Sequence, residues 1–491
     1  MQPEKNTQPK EKKKKSISAF SILFIILTLL WLISIVLSGH SFTPVTLPDS
    51  SEVVSTVTSP TLSTLIMAPF KSFQNSINIA VFILVLGGFI NVAMKTNALE
   101  AGISALVQKL KGKELVLIPL LMFLFSVGGT VYGMAEETIA FYVLITATLV
   151  AAGFDTIIAV CVILLGAGAG VLGSTVNPFA TGVAGDALRG VGYNPNQGTI
   201  ITVGTALWLS TVIFCIWYVM RYAKKVKKDK SLTVLSPQEQ ADMNLYFKAD
   251  NSQQLTFGRR EKNILMLFAF TFLIMIISLI PWGEFNITFF KGWTSHLTGN
   301  DFGDWTFGDL SMWFLIMAVI VGIVAKMSEK EIIDNFIAGA CDILSVVLII
   351  VVARSISVLM GETHLDLFIL DKAQNLLTGL SPVVFVPVAY LIYLGLSFLI
   401  PSTSALAFVS IPILGPLTAK LGMDPNIMIM IFAAGSGLIN LITPTSGVVM
   451  GGLQLSKVNY STWLKFMAKP VAVICIMNIV ILTASMVILT K

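Results

Sequence analysis

Apolar runs of about twenty residues, bounded by glycine, proline or charged residues, follow one another along most of the chain. A run of that length lets an α-helix cross the hydrocarbon core of a bilayer. Ile17–Leu37 is the first; Ser76–Met94, Ile200–Tyr222, Asn263–Pro281, Leu310–Lys326 and Asn335–Met360 are further spans. The runs are continuous rather than alternating, which argues against a transmembrane β-barrel. Two stretches in the first half break the pattern. Glu114–Ala152 is interrupted at Gly128–Glu137 and begins beside lysines, which predicts a re-entrant hairpin rather than two full spans. Asp155 then caps a helix that breaks at Leu172-Gly173-Ser174-Thr175-Val176-Asn177-Pro178. Proline has no N–H to donate and disfavours helix at the residue before it. Between these elements, Leu99, Ile103, Leu106 and Leu110 recur at helical spacing, with Lys109 and Lys111 on the polar side. Ala98–Gly112 therefore predicts a helix lying along the cytoplasmic interface.

The second half echoes the first. Gln108-Lys109-Leu110 matches Gln374-Asn375-Leu376, Pro119 matches Pro387, and Gly153-Phe154-Asp155 matches Gly422-Met423-Asp424. Gly168 and Gly170 match Gly435 and Gly437, and Asn177-Pro178 matches Thr443-Pro444, with every offset between 266 and 269. The second copy predicts a hairpin over 381–421, with its tip at Ile400-Pro401-Ser402-Thr403-Ser404, and a broken helix over 424–455 with its gap at Asn440–Gly447. The span 263–281 shifts parity, so the copies are inverted, an arrangement that puts a solute site between discontinuous helices near the midplane. The expected fold is an all-α polytopic membrane protein of about nine full spans and two hairpins. Its N-terminus is expected in the cytoplasm and its C-terminus outside. Its units are a disordered basic tail (1–16) and repeat 1 over 17–222, with hairpin 114–152 and broken helix 155–190. A linker, extra span and outer loop (223–308) and repeat 2 over 309–491 complete it.

Composition agrees with this reading. Of 491 residues, 55% are hydrophobic and 12% charged, against roughly 25% charged in soluble proteins. The net charge of +5 gathers at Lys12–Lys15 and Arg221–Lys230. Both clusters abut apolar spans, so the positive-inside rule accounts for them and the expected partner is the bilayer, not nucleic acid. The loop from Ser38 to about Ser63 holds Asp49 and Glu52 but no Lys or Arg, and reads as external. Ala223–Lys262 reads as a polar cytoplasmic linker. The first apolar run exceeds a signal-peptide core of about 7–15 residues, which predicts a retained helix. Cys161, Cys215, Cys341 and Cys475 are isolated in apolar runs and read as packing residues, not as a metal or disulfide framework.

Glu136 and Glu137 carry the sharpest chemistry. Adjacent residues on a helix point about 100° apart, so the two cannot both face one ligand. Either could simply favour the N-terminus of the returning half-helix. Alternatively, one holds a substrate amine, guanidinium or coupling cation, or carries a proton, because a carboxylate at that depth needs a partner. Arg354 either pairs with such a carboxylate, or with one on the substrate, or snorkels to the outer interface. Asp342 predicts a structural pair near the inner face. The histidines His40, His296 and His364 lie outside the spans, and no HExxH, GxSxG or CxxC motif occurs, so an enzyme lacks its base. Paired hairpins close a site rather than leave a pore, which favours a carrier over a channel.

At GGTVYGMAEETIAF, STVNPF, PSTSALAF and GLINLITPTSGVVMGGL the sequence resembles the YfcC-type carriers of the DcuC-like family. That family takes its name from C4-dicarboxylate carriers and includes arginine/ornithine exchangers. The resemblance spans roughly residues 17 to 490 and implies the ion-transporter-superfamily fold. It also implies a bacterial cytoplasmic membrane, a homodimer whose interface is not legible, and coupling Na+ or H+ in place of a cofactor. Substrate contacts are implied at Gly128, Gly129, Glu136 and Glu137; at Ser174, Thr175 and Asn177; at Ser402, Thr403 and Ser404; and at Asn440, Thr443, Thr445 and Ser446. Related sodium–dicarboxylate carriers have Ser-Asn-Thr at both hairpin tips, whereas here the first tip is acidic. Acids, hydroxyls and helix termini suit an α-amino acid, which carries both charges, better than a dianion. The expectation is a secondary carrier of arginine/ornithine antiporter type, with a Na+- or H+-coupled C4-dicarboxylate carrier as the alternative.

Overall fold

The computed structural model describes residues 19–46, 53–99, 101–102, 113–247, 258–280, 282–285 and 287–489. The basic tail, the acidic residues Asp49 and Glu52, and most of the expected interfacial helix with its landmark at 108–110 lie outside them. Among the described residues the chain is helical apart from one pair of short strands, and ten helices are long and apolar enough to cross a membrane.

Helices α1 (Ala19–Val36), α2 (Leu62–Asn75) and α3 (Ile77–Lys95) open the fold. α3 packs against α11 (Phe307–Val324) and α12 (Glu329–Thr363). Where α3 crosses α12, a Cβ on Gly87 would meet the carbonyl oxygen of Gly339, and the reverse also holds. Only glycine lets two backbones approach so closely. Phe89 of α3 stacks on Phe268 of α10 (Arg259–Leu279) at 5.4 Å and meets Phe314 of α11 edge-on at 5.2 Å.

At the centre lie α6 (Thr156–Gly173) and α16 (Pro425–Ile439). Every residue from Thr156 to Leu165 and from Asn426 to Leu438 is buried, so these helices need no solvent face and are apolar all round. The same turn leads into each. Gly153 and Gly422 adopt left-handed φ of 91° and 75°. The Phe154 N–H returns to Leu149 O at 2.9 Å and the Met423 N–H to Thr418 O at 3.0 Å. Asp155 and Asp424 then accept from Ile158 N at 3.2 Å and Asn426 N at 2.8 Å. A glycine stop followed two residues later by an acidic N-cap pairs the loose backbone groups of both helix ends. α6 and α16 cross with Gly168 against Leu441 and Gly437 against Leu172. Gly168 and Gly437, like Leu172 and Leu441, stand 269 residues apart.

The remaining helices wrap this pair. α4 (Leu117–Tyr132) packs on α6, and α14 (Pro382–Leu399) on α16. The returning arm α5 (Ile139–Ala151) meets α17 (Gly447–Leu455), while α15 (Thr403–Lys420) meets α7 (Val183–Gly190). α8 (Gln197–Lys228) and α18 (Tyr460–Leu489) pack on each other and on α16.

Several boundaries differ from hydropathy. α8 and α12 run past the expected 200–222 and 335–360 at both ends, because polar residues continue a helix beyond a core of about 30 Å at about 1.5 Å per residue. The expected outer loop contains an antiparallel pair, β1 (Ser41–Thr46) and β2 (Val53–Thr56), in register Val45 to Val54. The expected linker contains α9 (Pro237–Phe247), and α13 (Leu365–Leu377) follows α12. Cys161 and Cys215 are buried, whereas Cys341 is exposed. Asp342 is exposed and makes no ion pair among the described residues, so the pair expected there does not form.

Candidate functional site

The break between α4 and α5 is built by Gly133 and Glu137. Gly133 takes φ 79°, and a Cβ there would come within 2.5 Å of the Asn177 side chain, so the position is closed to other residues on both counts. The Ala135 N–H donates to Glu137 Oε2 at 3.0 Å, and a short 3-10 turn over Glu136–Thr138 starts α5. Adjacent glutamates in that turn diverge. Glu137 is buried, while Glu136 points across the opening to Arg354, with Nη2 to Oε1 at 2.9 Å. The pair is 22% and 30% exposed, so it faces a wet space, not a sealed core.

The break after α6 is closed by its own polar groups. Asn177 Oδ1 accepts from Phe179 N at 2.9 Å and Ala180 N at 3.2 Å, and its amide donates to Ser174 Oγ at 3.0 Å. Thr175 Oγ1 donates to Thr130 O at 3.2 Å. In the second half Thr445 Oγ1 donates to Phe398 O at 2.8 Å and shares a 2.7 Å contact with Thr443 Oγ1. In both gaps, then, a threonine ties the chain to the last turn of an earlier helix, Thr175 to α4 and Thr445 to α14. Ser402 and Ser446 cap α15 and α17. Ser404 Oγ donates to Phe179 O at 2.9 Å, joining the second tip to the first broken helix.

One cavity of about 1160 Å³, open solvent included, collects both tips and both gaps. Of the residues expected to touch substrate, Glu136, Glu137, Asn177, Ser402, Thr403, Ser404, Asn440, Thr445 and Ser446 line it, together with Arg354. Gly128, Gly129, Ser174, Thr175 and Thr443 do not. Gly129 faces α6, where a Cβ would come within 2.1 Å of Ala167 O. Ser174, Thr175 and Thr443 are buried and hold the gaps. Sequence reasoning missed the apolar wall of Phe307, Ile350 and Val448, and the role of Gly133. Gly133 was legible as one more glycine in the same run; nothing in the local sequence marks the wall, since apolar residues surround it on every helix.

Among the described residues lining the cavity, Glu136, Glu137 and Arg354 are the ionisable ones. Two carboxylates and one guanidinium leave one formal negative charge. Glu137 has no cationic partner among the described residues. Asn440 Oδ1 is buried with no hydrogen-bond donor, while its amide reaches Pro401 O and Ser436 Oγ, each at 3.4 Å. No cluster of potential metal ligands occurs among the described residues. Glu137 and Asn440, both lining the cavity, offer a carboxylate and a carbonyl oxygen that can receive an ammonium, a guanidinium or a monovalent cation. The guanidinium can receive a carboxylate.

Residues 11–487 match the family described as the C4-dicarboxylate anaerobic carrier, DcuC. The chain is 30% identical over 408 residues to an uncharacterized protein of Haemophilus influenzae, covering 83% of this chain and 75% of that one. It is 26% identical over 422 residues to the putative basic amino acid antiporter YfcC of Escherichia coli, covering 84% and 78%. Among solved structures it is similar to the YdaH transporter of Alcanivorax borkumensis, with a TM-score of 0.46, 15% identity and coverage of 95% and 98%. It is also similar to MtrF of Neisseria gonorrhoeae, described with a class of antimetabolite efflux pumps. There the TM-score is 0.44, the identity 17% and the coverage 97% and 96%.

Proposed function

The chain belongs to the C4-dicarboxylate anaerobic carrier family, a family of membrane transporters and not of enzymes, and on that premise we propose that it carries a basic amino acid by alternating access, as an arginine/ornithine antiporter does. The observation that carries this reading is the single negative charge left by Glu136, Glu137 and Arg354 in the cavity. Arginine or ornithine brings a net charge of +1 and neutralises it. A dicarboxylate would raise the formal charge to −3, and like charges gathered in one cavity repel. The name of the Escherichia coli relative, a putative basic amino acid antiporter, points the same way. A dicarboxylate carrier coupled to Na+ or H+ is the second reading. It draws on the family's name and on Arg354, which would bind one carboxylate.

In this proposal the two halves are inverted repeats whose hairpins enter from opposite sides. The matching entry turns, the reciprocal Gly168–Leu441 and Leu172–Gly437 contacts and the threonine ties support it. Substrate contacts are proposed for Glu136, Glu137, Arg354, Asn440 and the hydroxyls of Ser402, Thr403, Ser404 and Ser446. Asn177 and Thr445, whose polar groups are engaged in the gaps, hold the walls. Ligand-induced stabilisation of the purified protein tests the reading. At about a hundred times its dissociation constant a ligand adds about 2.7 kcal/mol, so arginine or ornithine raises the melting temperature. A rise with succinate alone would support the second reading.

A further inference from the structure

The proposed function leaves the two glutamates unequal, and the inequality has a consequence for coupling. Glu136 is neutralised by Arg354 at 2.9 Å, whereas Glu137 is 97% buried by its 3% exposure and lines the same cavity with backbone N–H donors, that of Ala135 at 3.0 Å among them, and no cation beside it among the described residues. The elements packed against this tip bring no counter-charge to it. α3 carries Lys95, in its last turn. α5 carries Tyr142, whose ring lies against Gly452. α17 has no ionisable residue, and Arg354 of α12 is engaged by Glu136. Asn440 Oδ1, on another wall, has no hydrogen-bond donor among the described residues.

We propose that Glu137 is the coupling carboxylate of this carrier. Its charge is covered either by a proton or by the cationic end of the solute, and the cavity changes sides only when one of the two is in place. An unpaired carboxylate is costly in a membrane interior, so the empty, ionised carrier stays where it is. Exchange of one cationic solute for another is then the ordinary cycle, and protonation of Glu137 is the route by which an unloaded carrier returns. The solute half of this scheme rests on the amino-acid reading above; the proton half does not.

The test therefore uses no solute. Proteoliposomes holding the full-length protein are adsorbed on a solid-supported membrane and stepped from alkaline to acidic pH. The wild type gives a transient inward proton current, Glu137→Asp keeps it, and Glu137→Gln loses it. An absent current in the wild type, or the same current in Glu137→Gln, overturns the proposal. Should Glu137→Gln fail to fold, a hydrophobic carbodiimide on the wild-type protein replaces it, with the adduct located by mass spectrometry. The adduct is expected on Glu137 and to increase toward acidic pH; an adduct confined to Glu136 overturns the proposal. A carrier that gives the current and ignores arginine refutes the amino-acid reading alone.

Discussion

Arg354 Nη2 lies 2.9 Å from Glu136 Oε1, so a guanidinium on α12 holds the tip between α4 and α5 across the cavity. The contact joins residues 218 apart in sequence. Among the described residues lining the cavity, it uses the one cation to neutralise one of the two acids.

Removing either partner leaves the other unpaired. Because both are partly exposed, the cost lies below the roughly 3–5 kcal/mol of a fully buried pair. Arg354→Gln or Glu136→Gln is expected to lower transport by on the order of tenfold, equivalent to about 1.4 kcal/mol. The double variant should melt at a higher temperature than either single one. A double-mutant cycle in melting temperature and transport rate checks this; purely additive effects would show that the pair is not coupled.

Close helix contact predicts a second result. A Cβ at Gly129 would lie 2.1 Å from Ala167 O, and one at Gly170 2.0 Å from Ser126 O. Gly129→Ala or Gly170→Ala must separate α4 from α6, and overpacking of that kind costs about 1–3 kcal/mol or more. Gly361 and Gly395 sit in helices with nothing within 4 Å of such a Cβ. There alanine is expected to be neutral or to stabilise by up to about 1 kcal/mol. Thermal unfolding in detergent distinguishes the two pairs.

The segment between α8 and α10 is fastened by one buried acid. Glu239 of α9 accepts from Asn459 N and Ser236 N, each at 2.7 Å, and from Thr462 Oγ1 at 3.1 Å. Glu239→Ala strands one donor before α9 and two at the start of α18, and is expected to destabilise by about 1–3 kcal/mol. Faster limited proteolysis within 229–258 would accompany it. An unchanged cleavage rate would mean that α9 is held by other contacts.

Asp366 of α13, outside the membrane-spanning helices, gives a pH dependence. Burial pushes its carboxyl from 3.8 up to about 6. The unfolded chain therefore releases this proton first as pH rises. Stability contributed by the neutral form is complete below pH 3.8 and is lost as pH climbs to about 6. The difference amounts to about 3 kcal/mol at about 1.4 kcal/mol per unit. Asp366→Asn should flatten that part of the stability profile and raise the melting temperature at neutral pH. A profile parallel to the wild type would assign the slope elsewhere.

Much of this was legible in the sequence, for identifiable reasons. Apolar run length located α3, α10, α11 and the cores of α8 and α12, because bilayer thickness fixes that length. The breaks at Gly133 and Asn177 showed through glycine, proline and acidic residues that a membrane helix rarely tolerates. Repeated Gly-x-Asp turns were visible because the turn itself demands those residues. The sequence alone leaves the pairing of Arg354 open, since hydropathy gives depth but not the direction in which a side chain points. Ser174, Thr175 and Thr443 look like ligands in sequence, yet they satisfy backbone and hydroxyl groups of the gaps. A polar residue at a helix break reads the same in either role. Gly128 and Gly129 likewise signalled a break, and Gly129 instead marks the close contact with α6.

Counterflow in proteoliposomes tests the functional proposal most directly. With ornithine inside and labelled arginine outside, uptake should rise well above that of vesicles without internal solute, and external succinate should not compete. Succinate uptake stimulated by Na+, with no response to arginine or ornithine on either side, would contradict it.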